Sequence, residues 1–407
     1  MNKLTRLTIN KFRNVAPTTL EFRPGLNVVL GRNAAGKTTL LRLLSTLIGA
    51  PDATLRNDPL EASYSVVSTN GLSFDHLTVK TRVNAPALPQ MPGKPAWEEH
   101  YSIEQSDRFF FKRLGMVALH ADLHPNETIL TTTNKHHQAP KRPHESPLMS
   151  IISTLWSDKP FDDSQSLAFE ILNSYPASAG RMDESLEQFN KLFQLEAQAT
   201  NRRFIWDAIE VPDSLTKIRP ETLPPGTAAT FQLAFLKRVA PVLGYESASV
   251  RFDIERLNPE PDRHLTKLRN LRFFFKRGDE EVSHDLLSYG QKRLLAFFAN
   301  ADASGDIIIA DELVNGLHHE WISACLNEIG ERQAILTSQN PLLLDFLRFE
   351  SIEEVRNTFI ICKRAESATD AQLIWRNLTE DEAESFFLAY QTGIQRVSDI
   401  LLTKGLW

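Results

Sequence analysis

Cysteine is scarce, with two in 407 residues, and the scarcity excludes a disulfide-stapled secreted scaffold. Both Cys325 and Cys362 fall inside apolar stretches, which reads as buried free thiols in a reducing compartment. Nowhere do eighteen apolar residues run together, so no transmembrane helix is predicted. The opening MNKLTRLTINKF is polar and strand-like and lacks the apolar core of a signal peptide. A cytoplasmic protein with no membrane partner is the expectation. Sustained heptads, internal repeats and low-complexity tracts are also missing, so no long coiled-coil arm is predicted. Basic charge is not in excess: 45 Lys and Arg face 51 Asp and Glu, for a net charge of −6. Clusters at 134–144, 202–203 and 267–277 are locally basic. Each has acidic neighbours and reads as solvated surface before it reads as a nucleic-acid track.

What remains is an ordinary globular composition, 42% hydrophobic and 24% charged. The length suits two or three domains, or one large α/β domain carrying an insertion. Leu4–Ile9 and Thr18–Phe22 alternate as half-exposed antiparallel strands do, whereas Leu26–Leu30 is continuously apolar, as in a strand buried on both faces. Further strands are expected at 64–68, 114–120, 250–256, 271–276, 306–310, 334–338, 358–362 and 372–375, with a hairpin turn at Arg277-Gly278. Between about 122 and 241 prolines are frequent and the readable elements are helical, notably Asp183–Ile209. The middle is therefore read as a mostly helical insertion. The organisation expected is 1–120 for one half of an α/β domain with an N-terminal antiparallel β-subdomain, 121–245 for the insertion, and 246–407 for the other half.

The most specific signal is GRNAAGKT, Gly31 to Thr38, which satisfies G-x-x-x-x-G-K-[ST] in full. Chance yields that pattern in roughly one chain of this length in seventy, and the flanking context sharpens it. A buried strand precedes the loop and an apolar helix follows, so loop amides and a helix N-terminus converge on one point. The nucleotide-binding set is Gly31, Arg32, Asn33, Ala34, Ala35, Gly36, Lys37, Thr38 and Thr39. Lys37 is placed to reach the β- and γ-phosphates and Thr38 to offer its hydroxyl to Mg²⁺. ATP and Mg²⁺ are the implied ligands. A partner acid is supplied by DIIIADEL: three β-branched residues ending in Asp311 and Glu312. Asp311 suits the Mg²⁺ shell, and Glu312 suits a base that orients the attacking water.

LLSYGQKRLL, Leu286 to Leu295, contains Ser288-x-Gly290-Gln291 some twenty residues before Asp311. That order resembles the ATPase heads of the ABC superfamily, in the form found in SMC, RecF and OLD-type proteins. Other stretches agree: Phe12-Arg13-Asn14 before the loop, DELVNGLHHEW from Asp311 to Trp321, and ILTSQNPLLLDFL from Ile335 to Leu347. Together they cover roughly 1–120 and 245–407. The resemblance implies an ABC-type P-loop fold with a mixed central sheet. It further implies a head-to-tail, ATP-dependent homodimer or higher oligomer, in which Ser288, Gly290 and Gln291 of one subunit cap the nucleotide held by the other, with Asn315–His318 crossing the interface. Where the family places its switch histidine this chain has Gln339, which hydrogen-bonds but cannot become a cation. Slow hydrolysis is the consequence expected. The glutamine expected between phosphate loop and signature has two competing candidates, Gln105 and the His120/Asp122 pair. His318-His319 is a poor metal pair, since adjacent helical residues point apart.

Two functions are implied by the resemblance. One is an ATP-gated switch controlling a separately encoded effector in anti-phage defence, because only about sixty residues follow Pro341 and no second acidic cluster marks a nuclease. The other is a RecF-like clamp on duplex DNA, from which the acidic net charge leans away.

Overall fold

The computed structural model describes residues 1–84, 101–132, 136–140, 145–156, 163–183, 186–200, 202–208, 211–260, 263–365 and 372–406. The chain opens with the hairpin β1 (Asn2–Phe12) and β2 (Thr18–Glu21). Leu4, Leu7, Ile9 and Phe12 are buried while Arg6, Asn10 and Lys11 are exposed, and two bulges reset the alternation. Then come β3 (Leu26–Leu30), α1 (Lys37–Leu47), β4 (Leu60–Ser68), β5 (Leu72–Asn84), β6 (Tyr101–Arg113), β7 (Met116–Leu123), β8 (Glu127–Thr132) and β9 (His136–Pro140).

The middle of the chain holds α2 (Pro147–Trp156), α3 (Asp163–Ser174), β10 (Arg181–Met182), α4 (Glu187–Phe193), β11 (Ala197–Ala199), β12 (Phe204–Trp206), α5 (Asp213–Thr216), β13 (Ala228–Phe231) and α6 (Ala234–Val242). It continues with β14 (Ser247–Glu260), β15 (Arg263–Arg277), β16 (Glu280–Ser283), α7 (Tyr289–Ala303), β17 (Ile307–Ala310), α8 (His319–Ile329) and β18 (Gln333–Thr337). The last elements are α9 (Pro341–Leu344), α10 (Ile352–Thr358), β19 (Phe359–Arg364), β20 (Leu373–Asn377), α11 (Glu380–Gln391) and α12 (Val397–Thr403). None of these helices is long and apolar enough to cross a membrane.

The site sits on a six-stranded sheet of order β10-β17-β18-β3-β19-β20, parallel throughout except for β20. Its strands are apolar on both faces because both faces are covered. In β17, Ile307 and Ile309 pack toward α1, whereas Ile308 and Ala310 pack toward α7. Val28 and Leu30 of β3 join a third core with the C-terminal helices. An eight-stranded antiparallel sheet, order β2-β1-β4-β5-β6-β7-β8-β9, forms the expected N-terminal β-subdomain. A third sheet, β12-β11-β15-β14-β13 with β16 on β15, backs α6 and α7 through Val250, Phe252, Phe273 and Phe275.

All eight expected strands are present, and the Arg277-Gly278 turn joins β15 to β16. The insertion differs from expectation. Its helices alternate with short strands, so it is mixed rather than mostly helical, and the 120/121 boundary falls inside β7. The helix read over Asp183–Ile209 is confined to α4, and the residues after it pair as β11 and β12 and add to β15. Helix propensity in QLEAQA is a few tenths of a kcal/mol per residue, and the open edge of β15 overrides it. The basic cluster at 134–144 falls partly outside the described residues.

Candidate nucleotide-binding site

The loop between β3 and α1 is built around backbone conformations that few residues adopt. Ala34 takes φ 63°, and Gly36, at φ 86°, starts α1. Gly31 has φ 146°, and a Cβ there would lie 2.2 Å from the Cys362 carbonyl oxygen. Trp375, fully buried beneath the loop, donates from its indole to the Ala35 carbonyl at 3.3 Å. Lys37 Nζ donates to the carbonyls of Gly31 at 2.7 Å and Arg32 at 3.3 Å. The ammonium thus lies folded over its own loop, beside the space a phosphate would take. An open cleft of about 550 Å³ is lined by Asn33 to Thr39, by Asp311, Glu312 and Gln339, and by Asn14, Arg364 and Leu373. Gly31 and Arg32 do not line it.

Opposite the loop, β17 delivers Asp311 and Glu312, buried at 5% and 4% exposure. The chain turns sharply here, with Glu312 at φ 50°. Three partners hold that turn. Thr337 Oγ1 donates to Asp311 Oδ1 at 2.6 Å and accepts the Glu312 amide at 2.7 Å. Glu312 Oε2 accepts the Gln339 amide at 3.0 Å, leaving the exposed Gln339 side chain in the cleft. From behind, fully buried Arg293 of α7 donates to the carbonyls of Asp311, Glu312 and Leu313. Hard oxygen donors, the Thr38 hydroxyl and the Asp311 carboxylate, face one cleft, a set that fits a magnesium ion accompanying a nucleotide.

Ser288, Gly290 and Gln291 do not line this cleft. Ser288 caps α7 in a box with Gln291: the Gln291 amide reaches Ser288 Oγ at 3.4 Å and the Ser288 amide reaches Gln291 Oε1 at 2.9 Å. Gly290 lies against the 312–318 turn, where a Cβ would come within 2.9 Å of both the Gly316 carbonyl and Trp321. The signature is therefore an outward-facing helix start, with Tyr289 half exposed beside it.

Parts of the chain are similar to known proteins. Residues 6–82 match the family model described as "AAA domain", and residues 157–345 match "AAA domain, putative AbiEii toxin, Type IV TA system". The Rad50 DNA double-strand break repair ATPase of Archaeoglobus fulgidus is 33% identical over 90 residues, 21% of this chain and 10% of that protein. The DNA replication and repair protein RecF of Psychromonas ingrahamii is 51% identical over 41 residues, 10% of this chain and 11% of that protein. The chain thus spans about a tenth of the length of these relatives in its matches. A crystal structure of an SMC head bound to the C-winged helix domain of ScpA is a remote likeness, with TM-score 0.41 and 12% identity over 92% of this chain and 98% of that one. Over the matched segments the chain is similar to AAA-domain ATPases, Rad50 and RecF among them.

In this chain, seven of the nine loop residues named from the sequence meet Asp311, Glu312 and Gln339 in one cleft. Neither candidate for the missing glutamine does so. Gln105, in β6, donates to Asp107 at 2.9 and 3.1 Å, and His120 pairs with Asp122 at 3.3 Å on β7, both within the antiparallel sheet. The strand beside β17 is instead β10, which brings Arg181 to Asp311. His318 lies against Trp321 and His319 against Phe346, and no metal-ligating cluster occurs among the described residues. Both cysteines are buried free thiols, and burial pushes the Cys362 thiol up to about 12. Sequence reasoning missed Arg181, Arg293 and Arg364. Each lies in an unremarkable polar context, and only strand order or helix packing brings it to the site.

Proposed function

We propose that this head binds and hydrolyses ATP and that ATP closes a head-to-tail homodimer. The observation that carries the reading is the convergence of Lys37, Thr38, Asp311, Glu312 and Gln339 on one cleft. Lys37 leaves the Gly31 and Arg32 carbonyls for the β- and γ-phosphates. Thr38 and Asp311 would hold the magnesium, which neutralises phosphate charge when bound. Glu312 accepts a proton from the attacking water as its oxygen bonds to the γ-phosphorus and the bond to the ADP oxygen breaks. Gln339 hydrogen-bonds the water or the phosphate. Ser288 and the N-terminus of α7, which do not line their own cleft, cap the nucleotide of the partner subunit.

The role we infer for the assembly is a switch acting on a separately encoded effector, in an anti-phage setting. The toxin–antitoxin wording of the model matching 157–345 supports it. A RecF-like clamp on duplex DNA is the second reading, supported by the RecF and Rad50 matches.

The deciding experiment is the solution mass of the wild type and Glu312→Gln with and without ATP. Glu312→Gln is expected to accumulate as an ATP-bound dimer while the wild type returns to monomer. Equal hydrolysis by the two proteins would remove Glu312 from its role. Duplex DNA binding that strengthens with ATP and weakens with salt would select the clamp.

A further inference from the structure

Arg181, at the start of β10, lies among three carboxylates. Its guanidinium is 3.5 Å from Asp311 Oδ2 and 4.0 Å from Asp52 Oδ2, and it touches Asp183 Oδ1. The side chain is 10% exposed. Burial pulls its pKa below the usual arginine value, and Asp311 is the first influence opposing that. The second oxygen of Asp311 already accepts Thr337 at 2.6 Å. Both oxygens of the carboxylate that faces the metal position are thus engaged by the protein itself, one of them by a cation. Arg181 does not line the cleft and reaches Asp311 from the β10 side.

We propose that Arg181 is a positioning residue for Asp311. It is a resident cation that neutralises the buried carboxylate before magnesium and nucleotide arrive, and that gives way toward Asp52 and Asp183 when they do. The inference rests on the reading in which Asp311 serves the magnesium shell. A buried carboxylate without a counter-charge is strongly unfavourable, and so is a buried guanidinium stripped of its partner. The alternative acids remove the second difficulty, because releasing Asp311 leaves Arg181 with Asp52 and Asp183. Asp52 also caps the turn after α1 and pairs with Arg42 at 3.6 Å, so the handover connects the far end of the phosphate-loop helix to the acid of β17. One consequence is a raised magnesium requirement, because the guanidinium both competes for Asp311 and repels a second cation.

The test uses the full chain and a fluorescent ATP analogue, titrated with Mg²⁺ from an EDTA-buffered start. Arg181→Gln is expected to bind the analogue in EDTA as the wild type does. It should reach half-saturation at about tenfold lower Mg²⁺, the scale of one opposite charge within contact distance. In thermal unfolding the variant should melt below wild type without ligand and gain more on adding Mg²⁺ and ATP. An unchanged or raised Mg²⁺ half-saturation overturns the proposal. So does a matching loss of binding in EDTA, which would mean that Arg181 touches phosphate. Should Arg181→Gln fail to fold, Arg181→Lys decides: a half-saturation lowered by about twofold or more supports the inference, and none overturns it. Asp311→Asn run in parallel separates the two readings. If it keeps the wild-type Mg²⁺ response, the metal role of Asp311 fails, not the placement of Arg181.

Discussion

Gln339 shows how much one residue type decides. Its amide is fixed by Glu312 at 3.0 Å, so the backbone is held whatever the side chain, and the exposed carboxamide faces the cleft. Replacing it with histidine adds a group able to carry positive charge beside the phosphate without disturbing that hydrogen bond. Turnover of Gln339→His is expected to rise by about tenfold, less than the roughly hundredfold or more that one well-placed donor contributes, because Gln339 already supplies a hydrogen bond there. Steady-state hydrolysis at saturating ATP measures it, and an unchanged rate would show that the missing imidazole does not limit this head. The loop residues were legible from spacing alone because phosphate chemistry dictates them. Arg293 was not, since its meaning lies in three carbonyls across a helix–strand contact that no local pattern announces.

At the scale of elements, local chemistry and tertiary pairing carry different weights. Helix α11 is specified locally: Thr379 and Glu382 form a capping box, and Arg376 of β20 grips the Glu382 carboxylate at 2.6 and 2.7 Å. That grip, with the Thr379 amide, holds the carboxyl down at about 2, below the usual 4.5. Because the folded pKa is depressed, the stability it contributes is complete above pH 4.5 and disappears as pH falls through about 2. The side chain is 28% exposed, so solvent screening keeps the contribution to about 1 kcal/mol or less. Glu382→Gln should therefore melt about 2 °C or less below wild type at neutral pH, and the two curves should converge as pH falls from 4.5 toward 2. Strands β11 and β12 are the opposite case. The sequence of β11 favours helix, and only the edge of β15 and the strand-favouring Phe204-Ile205-Trp206 of β12 make it a strand.

For the whole molecule, the segment 121–245 is woven into every layer. Strands β8 and β9 extend the antiparallel sheet, β10 completes the parallel sheet beside β17, and β11 to β13 build the third. Phe189, Leu215, Phe235 and Leu236 share one core with Leu294, Phe297 and Phe298 of α7, the helix that carries the signature. A chain in which 124–245 is replaced by a short linker is expected to lose cooperative thermal unfolding, because that removal strips α7 of its packing. Retention of a sharp transition would show instead that the ATPase core folds without the insertion. By itself the sequence determined the glycine-rich loop after β3, the apolar strand ending in Asp311, the capped start of α7 and the other expected strands, since each is dictated by chemistry or period within a few residues. Tertiary structure alone decided which strand lies beside β17. That choice brings Arg181 to Asp311 and leaves Gln105 in another sheet, because strand order is set by how whole faces bury one another and not by neighbours along the chain.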